Sequence, residues 1–183
     1  MVDLGYLYAR GQGVLPNSDF ALQLYRDAAK LGDGEGMNAV GYRYNFATKP
    51  DLDKAIFWYC QALELGNERA MNNLALLFFN GQGVSRDREE ARHLWRQAST
   101  RGNLVAEANL GADLALDAAL PQAERQSGIA MLRDAALQGG ALAQETLRKL
   151  GFTEPFPPGV FTSLSMRLEP RNPIPGSSRA CQG

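Results

Sequence analysis

Between residues 68 and 80 the apolar side chains of Ala70, Leu74, Leu77 and Phe78 fall at i, i+4, i+7 and i+8. That spacing is one stripe of an α-helix and does not fit the period of two expected of a strand. From 86 to 100 a second stripe, Ala91, Leu94, Trp95 and Ala98, follows Asp87, a residue suited to cap a helix start. Comparable segments stop at Gly32, Gly66, Gly102 and Gly139. A left-handed residue just past a helix satisfies the last carbonyls, and glycine adopts that conformation readily. The pattern predicts first helices near 2–10, 36–46, 69–79 and 104–118 and second helices near 18–31, 52–65, 87–100 and 122–138. A ninth helix near 141–150 closes the stack.

The stripes repeat. A small residue precedes an aromatic or apolar anchor at Gly5/Tyr8, Gly41/Tyr44, Ala75/Phe78 and Gly111/Leu114, in steps of 36, 34 and 36 residues. A second series keeps the register: Ala21/Tyr25, Ala55/Tyr59, Ala91/Trp95 and, more weakly, Gly128/Leu132. The phrase Gly11-Gln12-Gly13-Val14 returns as Gly81-Gln82-Gly83-Val84, while the second unit carries Phe46-Ala47-Thr48-Lys49 in its place. The fourth unit departs furthest, with Leu120-Pro121-Gln122 at the turn and no aromatic in its second helix. A fixed period of this length marks stacked helix pairs, none of which buries both faces alone. The small residues sit where helices 8–10 Å apart must touch.

Composition narrows the function classes. With 183 residues the chain is one domain or one short repeat array, and 45% hydrophobic with 21% charged residues is ordinary for a folded protein. A net charge of −1 gives no electrostatic case for nucleic acid or an anionic membrane, which leaves another protein as the default partner. No apolar run of about 18 residues spans a membrane, and the first thirty residues lack a basic start followed by an apolar stretch. One His and two Cys without metal-ligand spacing argue against a metal site, and no cofactor is expected. The Gly-Gln-Gly-Val turns lack the Lys and the preceding strand of a phosphate loop. His93, near Glu89 and Glu90, reads as a surface group, and Asp51 and Asp53 as helix caps. No catalytic residue is assigned.

The motifs resemble the Sel-1-like repeat, a relative of the tetratricopeptide repeat. They are carried by Leu4-Gly5, Tyr8, Gly11, Gly13-Val14, Ala21, Tyr25, Ala28-Ala29 and Gly32 in the first unit. The third unit has Ala70, Leu74-Ala75, Phe78, Gly81, Gly83-Val84, Ala91, Trp95, Ala98 and Gly102, and the second keeps Val40-Gly41, Tyr44, Ala55, Trp58-Tyr59, Ala62 and Gly66. The resemblance implies an all-α, right-handed superhelix used as a non-catalytic scaffold for protein partners. Its units are expected at about 1–33, 34–67, 68–103 and 104–140 with a closing helix at 141–150, so that the solenoid occupies 1–152 and a Pro-rich tail 153–183. The first unit begins a few residues into the pattern, so the start of the array is expected to expose apolar surface, as terminal repeats without a polar cap do.

In such an array the concave face is lined by first helices. Candidate partner-binding positions are Tyr6, Tyr42 and Leu76 in one row and Asn38 and Asn72 in another, with Asn73 and Asn109 beside it. Packing between neighbouring helices is the competing account of the aromatic row. Arg88, Arg92 and Arg96 repeat at i, i+4 and i+8 and fit either an acidic partner or a solvated face balanced by Glu89 and Glu90. Six prolines in the last 31 residues end the helical pattern. Between them Val160, Thr162, Leu164, Met166 and Leu168 alternate as in an extended segment, and Phe156 to Leu168 is expected to fold back on the groove near Ala108, Ala112 and Ala115, against the alternative of a disordered linker. Cys60 takes the register position of Arg26 and Arg96 and is expected to be exposed; a Cys60–Cys181 disulfide would tether the tail, with two free thiols as the alternative.

The expected function is a protein-binding adaptor, with an immunity protein that neutralises a secreted toxin, or a partner in the envelope, as the more specific form. A structural fragment of a longer repeat protein is the alternative, and an enzyme-associated module is disfavoured. The compartment is periplasmic or envelope if a signal peptide has been removed, and cytoplasmic otherwise.

Overall fold

The computed structural model describes residues 1–152 and Cys181. Among these residues the regular structure is helical: α1 Val2–Arg10, α2 Ser18–Lys30, α3 Gly34–Asn45, α4 Leu52–Glu64, α5 Glu68–Asn80, α6 Arg88–Ser99, α7 Leu104–Leu116, α8 Gln122–Leu137 and α9 Ala141–Lys149. The chain is an all-α helical repeat solenoid. Its described residues divide into two compact units, one of Met1–Leu94 with Cys181, the other beginning at Trp95. The expected extended tail at 153–183, with its fold-back of Phe156 to Leu168, lies outside the described residues apart from Cys181.

Helix starts are written in Asn and Asp. The side chains of Asn17, Asp33, Asp51, Asn67, Asp87 and Asn103 accept from backbone N–H groups in the first turns of α2 to α7. Each satisfies donors that a helix leaves unpaired at its start. Helix ends use the glycines: Gly32, Gly66, Gly102 and Gly139 all have positive φ, between 77° and 89°.

The repeat also dictates its loops. Between first and second helices, the N–H of Asn17, Asp51 and Asp87 donates to the carbonyl of Tyr8, Tyr44 and Phe78, at 2.9, 3.1 and 3.0 Å. The second unit closes its loop with the same bond although it has lost both glycines. The turn back to the next first helix repeats in turn: Asp33, Asn67, Asn103 and Gly140 donate to the carbonyls of Ala28, Ala62, Ala98 and Ala135.

In the first unit α1 packs on α2, α2 on α3, α3 on α4 and α4 on α5, while the first helices α1, α3 and α5 also meet. Tyr25, Tyr59, Leu63, Met71, Leu74 and Leu77 are its largest fully buried side chains. Leu4 is 42% exposed, whereas its register equivalents Val40 and Leu74 are fully buried. In the second unit α7, α8 and α9 pack on one another around Ala108, Leu132, Ala135, Ala136, Ala143 and Leu147, with Ala112, Ala115 and Phe152 against them. The small residues expected at the end of a groove are thus largely core.

Candidate partner-binding face

The first helices of the Met1–Leu94 unit carry matched stripes: Glu35, Asn38, Tyr42 and Phe46 on α3 and its end, and Arg69, Asn73 and Leu76 on α5. Glu35 is the centre of a polar cluster. Its Oε1 accepts from the Tyr6 hydroxyl at 2.7 Å and from Arg69 Nη1 at 2.8 Å, and its Oε2 from Asn67 Nδ2 at 3.1 Å. One carboxylate therefore joins α1, α3 and the start of α5. Burial, then the hydrogen bond to the Glu35 carboxylate and its negative charge, hold the Tyr6 phenol well above its usual pKa. The same charge holds Arg69 still more firmly protonated.

One turn along, Asn73 Nδ2 donates to Asn38 Oδ1 at 2.9 Å. Asn38 and Asn72 are buried. Both had been expected to line a groove, and the structure places them between helices instead, because buried amides must be paired and the neighbouring repeat offers the partner for Asn38. Tyr6 is half-buried with its ring 5.4 Å from Tyr25 and its hydroxyl engaged, so it acts chiefly in packing.

The outer end of the stripe is different. Tyr42 and Phe46 are 48% and 64% exposed, with ring centroids 4.4 Å apart. Leu76 is half-buried at the equivalent position of α5, and Asn109 is half-buried on α7 in the other unit. Exposed rings packed on each other offer apolar area at small entropic cost to a partner.

The arginines do not form an exposed row. Arg96 is exposed, Arg88 is half-buried with its guanidinium 5.8 Å from the Phe79 ring centroid, and Arg92 is buried and paired with Glu89 at 2.7 Å. His93 is on the exposed side of α6. Cys60, expected to be exposed, is buried, because its sulfur is bonded to Cys181. Among the described residues no group of His, Cys, Asp and Glu is placed to hold a metal, and no helix is long and apolar enough to cross a membrane.

Sequence reasoning passed over Glu35, Arg69 and Phe46. A signal for the first two was present: they occupy the same register in consecutive units, with opposite charge.

Comparison with known proteins places the repeats. The Sel1 repeat profile matches residues 1–33, 34–67 and 68–103. A Sel1 repeat protein from Oxalobacter formigenes has a crystal structure similar to this chain, with a TM-score of 0.67 and 26% identity, covering 81% of this chain and 59% of that one. The protective antigen c5321 of uropathogenic Escherichia coli, which displays an SLR fold, aligns with a TM-score of 0.71 and 26% identity over 84% of this chain and 34% of its own. An F-box protein of Arabidopsis thaliana is 35% identical over 85 residues, 46% of this chain and 23% of that protein. The chain thus spans well under two thirds of the proteins it resembles. Three consecutive copies of the repeat over more than half of its length make this chain a member of the Sel1 repeat family, whose repeats generally mediate protein–protein interaction.

Proposed function

We propose that this chain is an adaptor that grips a protein partner through the first-helix face of its Met1–Leu94 unit. The observation that carries this reading is the exposed Tyr42–Phe46 ring pair, with Leu76 at the same register of α5 and the Glu35 cluster satisfied within the fold. The cluster fixes α1, α3 and α5 relative to one another, and the rings supply the contact. A rigid aromatic anchor with an ordered polar surround is the usual composition of a binding hot spot. Asn73, Asn109, Arg88 and Arg96 belong to the periphery in this reading.

The test is affinity capture with quantitative mass spectrometry, comparing the intact chain with Tyr42→Asp and Leu76→Asp variants whose helicity is unchanged. Loss of about 2 kcal/mol at a hot spot lowers recovery of a specific partner about thirtyfold. Leu15→Ser, at a side chain 88% exposed in the first loop, serves as the control that leaves recovery intact. Equal recovery with all variants would discard this face.

A more specific reading, an immunity protein that neutralises a secreted toxin in the periplasm, has the support of the Cys60–Cys181 disulfide, because such bonds persist in oxidising compartments. Alkylation of thiols at the moment of cell lysis, followed by intact-mass analysis, tests the compartment. Fully alkylated cysteines would count against the periplasm.

A further inference from the structure

The register of the second helices singles out one position. On α4, Leu52, Ile56 and Cys60 stand at i, i+4 and i+8, where the first unit has Ser18, Leu22 and Arg26 and the third has Arg88, Arg92 and Arg96. Only the second unit is apolar along this line and ends it in a thiol. Ile56 and Cys60 are buried, and the Cys60 sulfur is bonded to Cys181 across 121 residues of sequence, with α-carbons 5.6 Å apart. Cys181 itself is half-buried. Helices α5 to α9 all lie between the two cysteines in the chain.

Repeat arrays are held by contacts between neighbouring units. The disulfide adds a covalent link between two residues 121 positions apart. We infer that the Cys60–Cys181 bond is a redox clasp: closed, it fastens Cys181 to α4; opened by a dithiol, it releases Cys181 and gives up the Cys60 edge of the Leu52–Ile56–Cys60 line. The inference is independent of the partner-binding face.

The chemistry balances. In closing, the two thiols give up two protons and two electrons to a disulfide oxidant, which leaves as a dithiol. In opening, a thiolate of a dithiol reductant attacks the more accessible sulfur, that of Cys181, and Cys60 leaves as a thiolate and takes up a proton. The second thiol of the reductant then displaces Cys181, so the reductant departs as a disulfide. The buried Cys60 sulfur is the poorer target for an external thiolate, which orders these steps.

The experiment uses the full chain, oxidised and after millimolar dithiothreitol without denaturant. Intact mass after alkylation is expected to show no label before reduction and two after it. Hydrogen exchange is expected to quicken in α4 around Cys60 while the other helices keep their protection, and Tm to fall by about 10 °C. Cys181→Ser, outside helices α1 to α9, is expected to reproduce the reduced state and to ignore dithiothreitol. A bond that resists dithiothreitol until denaturant is added would be a fixed staple and overturns the switch. Mass consistent with a linked pair of chains, or identical exchange in both states, overturns it equally.

Discussion

Gly41 on α3 and Gly111 on α7 occupy the same register of their helix pairs, yet they are required for different reasons. A Cβ on Gly41 would stand 2.8 Å from two ring carbons of Tyr59, so that glycine makes room for the aromatic of its own second helix. A Cβ on Gly111 would stand 2.8 Å from the carbonyl oxygen of Gly128, and one on Gly128 would stand 2.7 Å from both the Ala115 nitrogen and the Gly111 oxygen. In the fourth pair backbone meets backbone. Leu132 replaces the ring, and the helices approach until two glycines touch. The fourth pair falls outside the residues matched by the Sel1 profile, and it keeps the α-hairpin but packs it by another rule.

The largest effect is therefore expected from Gly128→Ala. Backbone atoms surround the added methyl, and no flexible side chain can give way. Overpacking of this kind costs about 3 kcal/mol, which lowers Tm by about 10 °C. Hydrogen exchange should locate the loss in α7, α8 and α9. A change of a degree or less would mean that α7 and α8 slide apart freely, and the contrast with the second unit would collapse.

Gly41→Ala is expected to cost about 2 kcal/mol by pressing on the Tyr59 ring. Here the comparison can be sharpened, since Tyr59→Leu installs the fourth pair's choice of side chain opposite the glycine. The double variant Gly41→Ala/Tyr59→Leu should be less destabilised than the sum of the single ones, by about 1 kcal/mol in a double-mutant cycle of urea unfolding. Strict additivity would show that the ring and the glycine are not partners. The Tyr59 hydroxyl, held above its usual pKa by burial and facing Asn45, contributes to the cost of the Leu substitution alone.

The same comparison separates what was legible in the chain from what was not. Local rules wrote the helices: apolar stripes, Asp87 and Asp51 as caps and the glycine stops stand where the pattern predicts them, and α1 to α9 follow the expected spans within two residues. Contacts between repeats were harder. Asn38 looks like an adaptable surface amide until the neighbouring repeat brings Asn73 to it. Cys60 shares its register with Arg26, which is half-buried, and Arg96, which is exposed, but its environment is decided by Cys181, which lies outside the periodic region altogether. Periodicity describes what every unit shares, and the partner of Cys60 stands outside the period.

The Glu35 cluster gives the next prediction. Glu35→Ala removes the acceptor of Tyr6, Asn67 and Arg69 and is expected to cost about 1–2 kcal/mol, below the glycine variants because Arg69 and Glu35 are partly solvated. The alkaline limb of stability is a second readout. The folded chain keeps the Tyr6 proton at a pH where the unfolded chain has lost it, so stability falls as pH rises beyond about 10. Tyr6→Phe should flatten that fall in a series of thermal melts. An unchanged slope would mean that Tyr6 ionises in the folded protein as freely as in the unfolded one.

The smallest effect is expected in the other unit and carries the opposite sign. Glu35 is surrounded by donors, whereas Glu107, in the first turn of α7, has its carboxyl pushed up by burial and by the negative charge of Asp134 on α8. Asp134 is itself raised by burial. A raised carboxyl pKa means that the folded state holds the proton where the unfolded state has released it. Stability is therefore lost as pH rises through the window above the ordinary carboxylate pKa of about 4.3, and it stays lower at neutral pH. Glu107→Gln should raise Tm at pH 7 by about 2 °C and give no gain near pH 3.5, where the glutamate is already neutral in both states. An equal gain at both pH values would assign the effect to helix propensity, and a loss at pH 7 would mean that the Glu107 carboxylate is stabilised in the fold.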